Sequence, residues 1–476
     1  MPKLLLHNPW ARPSLPRMAG ASSDKLANRI LRGLVLGVIL GVITLLAGPH
    51  LTLPGWLQGL LGRMGVPAAA NLLEAMRGIS TALLDPFGRI FLRLLFFVIV
   101  PLIFASLTTG VVQLGRPEKL GPLAGRTFLF FFLNMAIGVA LGLVMMNTLH
   151  PGGLIDADTK ARLMAEYGGT AQKHVTAQAG QTGLSFAVIV EMFMPANLLG
   201  AVVGQSTARI GDVLPLILFA ILVGVVGMSL PDEKRRRLQE GLELVTELMT
   251  GIVHLALRLA PYAVPCLIYS VLVKSGLDVI KALGLFLAGC AGVMAIHLFG
   301  TMSVWLRLWT TWKPRAYFAA IKDVIVTAFS TSSSNATLPT ALKNATEKLG
   351  ISPSTAGFVL PLGTTMNMSG TALYEGCVVL FVAQVFGVDL SLGQQVTLVL
   401  LSVLSAVAVA GIPGGSLPLI AGLLITFGIP PEGIGIILGT DRILDMCRTA
   451  TNVGCDVTTA LVVDEITKKA DLKLET

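Results

Sequence analysis

Apolar runs of bilayer-spanning length follow one another along this 476-residue chain, at about 29–48, 86–113, 124–149, 185–228, 243–273, 278–306, 354–386, 391–428 and 434–463. A hydrocarbon core about 30 Å thick takes roughly 20 apolar helical residues per crossing, so the pattern implies an all-α polytopic membrane protein. Composition agrees, with 54% hydrophobic and only 13% charged residues. Several runs are too long for one simple crossing and must tilt or break. The first follows a basic lead (Lys3, Arg12, Arg17, Lys25, Arg29, Arg32) with no small-residue cleavage signature near its end, and reads as a retained helix.

Lys and Arg also cluster at Arg116–Arg126, Lys234–Arg237, Arg307–Lys322, Lys343–Lys348 and Lys468–Lys473. By the positive-inside rule these segments and both termini are cytoplasmic. Topology thus accounts for the net charge of +8, and no patterned basic and aromatic surface suggests nucleic acid. The five cysteines (Cys266, Cys290, Cys377, Cys447, Cys455) lie in apolar segments without metal or redox spacing and read as packing residues. His254 and His297 read as buried helix residues.

Basic clusters on both sides of the polar stretch 317–345 imply that it enters and leaves the membrane on one side. The run 391–428 is interrupted at Gly411-Ile412-Pro413-Gly414-Gly415. Both read as re-entrant hairpins, which are tolerated at membrane depth only inside protein or along an aqueous site. Each precedes a long helix (317–386, then 391–463), a pattern that suggests an inverted repeat.

One apolar segment carries Asp441, Arg442, Asp445, Arg448, Asn452 and Asp456. Ionisable groups at this depth cost a few kcal/mol each and mark polar cavities or ion paths. All but Arg442 fall within a helical arc of about 80° spanning about 22 Å. A buried structural ion-pair network is the plainer alternative, but two carboxylates and an Arg within two turns suit a ligand grip better. Arg442 lies about 100° from Asp441 around the helix; it either neutralises Asp441 or Asp445 from the side or faces water.

Two further tracts are polar within apolar surroundings. The first hairpin tip reads Ser330-Thr331-Ser332-Ser333-Ser334-Asn335-Ala336-Thr337-Leu338-Pro339, rich in hydroxyls, with Pro339 expected to begin the returning helix. The next helix is interrupted at Gly363-Thr364-Thr365-Met366-Asn367-Met368-Ser369-Gly370-Thr371, where an unwound turn would expose carbonyls to a cation.

Together these motifs resemble the glutamate transporter family, the dicarboxylate/amino-acid:cation symporters, over nearly the whole chain from Arg89–Ser106 to Asp456. Four motifs recur in the family's order: the Ser-rich tip, a near match to NMDGT, the tip 411–415, and Asp445…Arg448-Thr449…Asn452…Asp456. The resemblance implies eight transmembrane helices plus two re-entrant hairpins in inverted repeats, and a homotrimer working as an elevator in a bacterial inner membrane. Residues 1–85 would hold the N-terminal tail, first helix and an extracellular connection. Scaffold helices would lie within 29–113 and 185–274, the transport domain within 86–149 and 275–465, and a cytoplasmic tail at 466–476.

The same resemblance implies the site. Asp445 would meet a substrate amine, where dicarboxylate carriers have Ser, and Arg448 would take the side-chain carboxylate through its bidentate fork. L-aspartate or L-glutamate is therefore the expected substrate. Thr371, Thr449 and Asn452 match its other side-chain contacts, and Ser333, Ser334 and Ile412 the contacts of the two tips. Gly363, Asn367, Asn452 and Asp456 match a first sodium site, while Thr365, Met368, Ala406, Val407 and Val409 match a second that is mostly backbone. At the family's third sodium site the chain carries Phe131, Asn134, Met135 and Ser369, too few hard oxygens for a desolvated cation. Glu375 matches a residue resembling a proton carrier, and burial favours the neutral form of a carboxyl group.

The accessory Arg of relatives is absent from Ser332 and Met446, and Arg442 stands where dicarboxylate carriers have one. The chain thus reads as a symporter of acidic amino acids coupled to sodium, protons or both, with no organic cofactor. A proton-coupled C4-dicarboxylate carrier and an anion channel-like protein remain rivals. An enzyme is not expected, since no nucleophile with a paired base stands out.

Overall fold

The computed structural model describes residues 19–63, 69–113, 117–161, 194, 196–203, 214–407, 409 and 416–474. Ile412 and the glycine-proline tip 411–415 lie outside them, as do the basic lead before Ala19, Arg116 and much of 185–228. The chain is all-helical apart from an isolated bridge between Thr52 and Asn71 among the described residues.

Helix α1 (Ala19–Ala47) is followed, after short helices at Gly55–Arg63 and Leu72–Ile79, by α2 (Asp85–Phe97), α3 (Ile99–Gln113) and α4 (Pro117–Leu149). Then come α5 (Leu214–Met228), the 44-residue α6 (Asp232–Ser275), α7 (Asp278–Ala295) and α8 (Met302–Trp309). Among the described residues six segments are long and apolar enough to cross a membrane: Arg32–His50, Leu72–Val112, Pro122–Leu154, Asp232–Lys274, Asp278–Trp309 and Pro353–Phe386. Large apolar side chains stay exposed on α1, among them Val35, Leu36, Ile39, Leu40, Ile43 and Leu46, a surface stable only against lipid or protein.

Helices α1, α2 and α3 all pack on α6, and α5 packs on α3. Gly33, Gly37 and Gly41 lie on one face of α1, where added Cβ atoms would meet Pro261 O, the Ile268 side chain and the Leu272 side chain at 2.7, 2.6 and 2.8 Å. Small residues at four-residue spacing let two membrane helices approach this closely. Lys274 of α6 pairs with buried Asp85 of α2, tying the two together in place of an unpaired buried charge.

The second half holds two hairpins. Helix α9 (Lys322–Thr331) turns at Ser332 and Ser333 into α10 (Ser334–Glu347), and the two pack together. The returning helix therefore starts at Ser334, capped by the Ser333 hydroxyl accepting from Ala336 N at 3.3 Å. This corrects the expectation for Pro339, which lies inside α10. The next span is broken as expected, into α11 (Pro353–Met366) and α12 (Ser369–Phe386), with Asn367 and Met368 non-helical between them. Helices α13 (Leu392–Val407) and α14 (Leu417–Thr426) flank the second tip and touch one another. The chain closes with α15 (Ile434–Leu474).

All eighteen residues of α12 are buried, as an all-round apolar helix requires. Helices α4, α13 and α15 enclose it. α15 also packs on α9 and α10 of the first hairpin, on α14 after the second tip, and on α7 and α11, so both hairpins and the helix break meet this one helix.

Candidate functional site

The broken span and α15 meet polar edge to polar edge. Asn452 Oδ1 accepts from Gly370 N at 2.7 Å and Thr371 N at 3.2 Å, serving as a cap for the free N-terminal amides of α12. Its Nδ2 donates to Thr371 Oγ1 at 3.1 Å, since an amide nitrogen only donates. The contact requires Gly370, where a Cβ would lie 2.6 Å from Arg448 O. One turn further along α15, Asp456 Oδ1 accepts from Asn367 Nδ2 at 2.8 Å, and Asn367 Oδ1 accepts from Asn134 Nδ2 of α4 at 3.0 Å. Asp456 Oδ2 is buried with no partner among the described residues. Gly363 faces this carboxylate so closely that a Cβ would stand 2.6 Å from its Cγ and Oδ1.

Arg448, buried, donates from Nε and Nη2 to Asp445 Oδ1 at 2.9 and 2.7 Å. Its Nη1 lies 3.5 Å from Asp441 Oδ1, and its guanidinium sits over the Tyr374 ring at 4.8 Å. Tyr374 in turn donates its hydroxyl to Asp441 Oδ1 at 3.0 Å. Arg442 Nη1 approaches the other Asp445 oxygen at 3.6 Å. Of the two roles left open for Arg442, flanking Asp445 from the side is the one realised. The four charges, two Asp and two Arg, cancel within the group.

A cavity of about 20 Å³ opens between these elements, lined by Ser332 and Ser334 of the first tip, Met368 and Thr371 of the break, Val409 and Ser416 beside the second tip, and Asp445, Arg448, Thr449 and Asn452 of α15. That is room for about one water, so the site is contracted around its own side chains. Ser332 has φ 49°, a left-handed conformation uncommon for a non-glycine residue, and its buried hydroxyl has no partner among the described residues.

Most expected site residues therefore converge: Ser334, Met368, Thr371, Val409, Asp445, Arg448, Thr449 and Asn452 line one cavity. Ser333 does not line it and caps α10 instead. Gly363, Asn367 and Asp456 form a separate polar cluster, to which Asn452 does not turn its side-chain oxygen. Thr365 donates its hydroxyl to Leu362 O within its own helix at 3.0 Å. Ala406 O accepts from Val409 N at 3.3 Å, and the Val407 side chain lies against Gly110 of α3. Phe131 and Met135 are buried in apolar clusters. Glu375 is fully buried, and neither carboxyl oxygen has a hydrogen-bond partner among the described residues.

Sequence reasoning missed Tyr374 and Ser416. Tyr374 follows Thr371 by three residues and so shares its helix face, a spacing that could have revealed it. Among the described residues no group of three or more His, Cys, Asp or Glu could hold a metal, so any cation would rest on oxygens of mixed type around one carboxylate.

A charged, hairpin-enclosed cavity within spanning helices defines a secondary-transporter type of site. The chain belongs to the sodium:dicarboxylate symporter family, whose model matches residues 26–466. That is a family of symporters, not enzymes, and its membership with six span-length helices makes this a multi-pass membrane protein. The chain is 31% identical over 440 residues, 92% of each chain, to the proton/sodium-glutamate symport protein of Bacillus subtilis. It is 30% identical to the proton/glutamate-aspartate symporter of Escherichia coli, covering 82% of this chain and 87% of the relative. A C4-dicarboxylate transport protein of Bacillus subtilis is 29% identical, covering 80% and 86%.

Proposed function

We propose that the protein is a symporter of L-aspartate or L-glutamate coupled to sodium, protons or both. The observation that carries the reading is the self-compensated Arg448–Asp445 pair inside the hairpin-lined cavity. A zwitterionic acidic substrate can replace both partners at once, its side-chain carboxylate taking the Arg448 fork and its ammonium taking Asp445. Exchange of one ion pair for two avoids leaving either buried charge alone, which would cost about 3–5 kcal/mol. Thr371, Thr449 and Asn452, with the first tip at Ser334, supply the remaining polar contacts, and Ile412 belongs to the second tip.

Charge balance gives the coupling. The four-residue charge group is neutral before binding, whereas Asp456 has one oxygen without a partner. An acidic amino acid adds one net negative charge, so the loaded site needs cations to avoid an uncompensated buried excess. We assign one sodium to Gly363, Asn367, Asp456 and the Asn452 backbone, a second to the turn at Thr365 and Met368 with Ala406, Val407 and Val409, and a proton to Glu375. Homotrimeric assembly, eight spanning helices, elevator motion of a transport domain within 86–149 and 275–465, cytoplasmic termini and a bacterial inner membrane belong to the same reading.

Uptake into proteoliposomes with separately imposed sodium and proton gradients tests it. Saturable L-aspartate or L-glutamate uptake driven by at least one gradient is expected; flux that neither gradient accelerates would refute symport. Arg442 beside Asp445 favours a second reading, a C4-dicarboxylate carrier. Succinate competing better than aspartate would establish that reading in place of the first.

A further inference from the structure

Outside the transport site, an open concavity lies where α8 ends. It is an open cavity of about 610 Å³ formed by the connection after Trp309, with Arg307, Thr311, Trp312, Lys313 and Arg315 among its walls. None of the residues lining it is acidic. The three cations are exposed, and among the described residues they form no ion pair. By contrast, Lys348, Lys468 and Arg235, in other segments read as cytoplasmic, pair with Asp323, Asp464 and Asp232.

The wall is held in shape. Thr310 donates its hydroxyl to Leu306 O at 2.8 Å and accepts from Trp312 N at 3.2 Å, so the turn is fixed by one side chain. Lys469 donates to Trp309 O at 3.4 Å from α15, and Trp309 packs edge-on against Phe130 and Trp305 with ring centroids 5.1 and 5.7 Å away. Immediately toward the span, Val304 and Leu308 are exposed apolar side chains, 52% and 65% accessible. The cavity thus sits where an apolar helix surface gives way to cations and indole rings, the depth at which headgroups lie.

We propose that this cavity binds the phosphate group of an anionic phospholipid, with Arg307, Lys313 and Arg315 as its cationic partners and the Thr311 hydroxyl as a further donor. Arg offers a fork to phosphate oxygens and Lys a point charge. A mere topogenic excess of Lys and Arg explains net charge on this side, but it does not require three unpaired cations around one acid-free concavity. The acyl chains would lie along Val304 and Leu308, which free phosphate cannot use.

The test is thermal melting of the intact, detergent-purified protein with added short-chain phosphatidylglycerol, phosphatidylcholine or inorganic phosphate. Phosphatidylglycerol is expected to raise the melting temperature by several degrees over phosphatidylcholine. The triple variant Arg307→Gln, Lys313→Gln, Arg315→Gln should lose most of that rise, whereas Arg235→Gln, Arg236→Gln, Arg237→Gln, an equal loss of charge elsewhere, should keep it. Equal stabilisation by inorganic phosphate, lost in the same triple variant, would assign the site to free phosphate. A triple variant that keeps the wild-type response, or a control that loses it equally, would overturn the proposal. Should the triple variant not fold, the single variants replace it, and phosphatidylglycerol adducts counted by native mass spectrometry should fall in each relative to wild type.

Discussion

Replacing Arg448 with Met tests the central pair while keeping an unbranched apolar stem. In the described state the guanidinium makes two hydrogen bonds to Asp445 Oδ1, at 2.9 and 2.7 Å, and lies 4.8 Å from the Tyr374 ring. Removing it leaves Asp445 with Arg442 at 3.6 Å as its remaining cationic neighbour. The loss of one partner of a buried pair costs about 3–5 kcal/mol. For an acidic substrate whose carboxylate needs the same fork, that is a loss of affinity of a few hundred-fold to a few thousand-fold. Because the pair is internal before binding, the empty protein should also be destabilised. A matched double variant, Arg448→Met with Asp445→Leu, removes both charges and should recover much of the stability while still failing to bind aspartate. Calorimetric or scintillation-proximity binding of L-aspartate gives the first quantity, and melting of the unliganded protein gives the second. If the single variant binds aspartate within tenfold of wild type, Arg448 is structural and the exchange of ion pairs is wrong. If the double variant binds as well as wild type, the substrate charges are met elsewhere.

Asp445→Ser should shift preference from amino acid to dicarboxylate, measured by aspartate and succinate competition; a variant that still prefers aspartate would move the amine to another group, Asp441 first. Gly363→Ala places a Cβ 2.6 Å from the Asp456 carboxylate, so sodium should enhance substrate affinity at least tenfold less than in wild type, an estimate equal to about 1.4 kcal/mol; an unchanged sodium titration would remove Asp456 from the ion path. Glu375→Gln mimics a permanently protonated side chain, so uptake that falls with rising external pH in wild type should become insensitive to pH in the variant, and an unchanged pH profile would exclude Glu375 as the carrier.

The helix break at Asn367 and Met368 and the first hairpin turn were legible because both are written locally, as polar tracts inside apolar runs. The charged face of α15 was legible for the same reason: helical periodicity alone brings Asp445, Arg448, Asn452 and Asp456 to one side. What these groups bond to was not. Arg448 could extend toward a ligand or fold back on Asp445 three residues earlier, and that choice depends on Tyr374, which reaches the site only because α12 packs on α15. Ser333 and Ser334 are chemically alike in sequence, yet the turn at Ser332 makes one a helix cap and puts the other at the cavity wall. Pro339 misled for a related reason, since the Ser333 cap, accepting from Ala336 N, starts the helix ahead of it and outweighs the preference of proline for the first helical turn.

The two polar clusters on α15 are joined by backbone as well as by charge. Asn452 ties α15 to the first amides of α12, while Asp456, one turn on, holds Asn367 at the end of α11. A cation entering beside Asp456 would therefore act on the same broken turn that positions Thr371 in the substrate cavity. Under the proposed function this would give sodium and substrate a shared two-ended element, the physical requirement for reciprocal coupling between their affinities. Glu375, one turn beyond Thr371 on the same helix, extends that element toward α13, with neither carboxyl oxygen hydrogen-bonded among the described residues. Substrate, sodium and proton would then be coupled through one interrupted helix, with no need for a relay across the rest of the molecule.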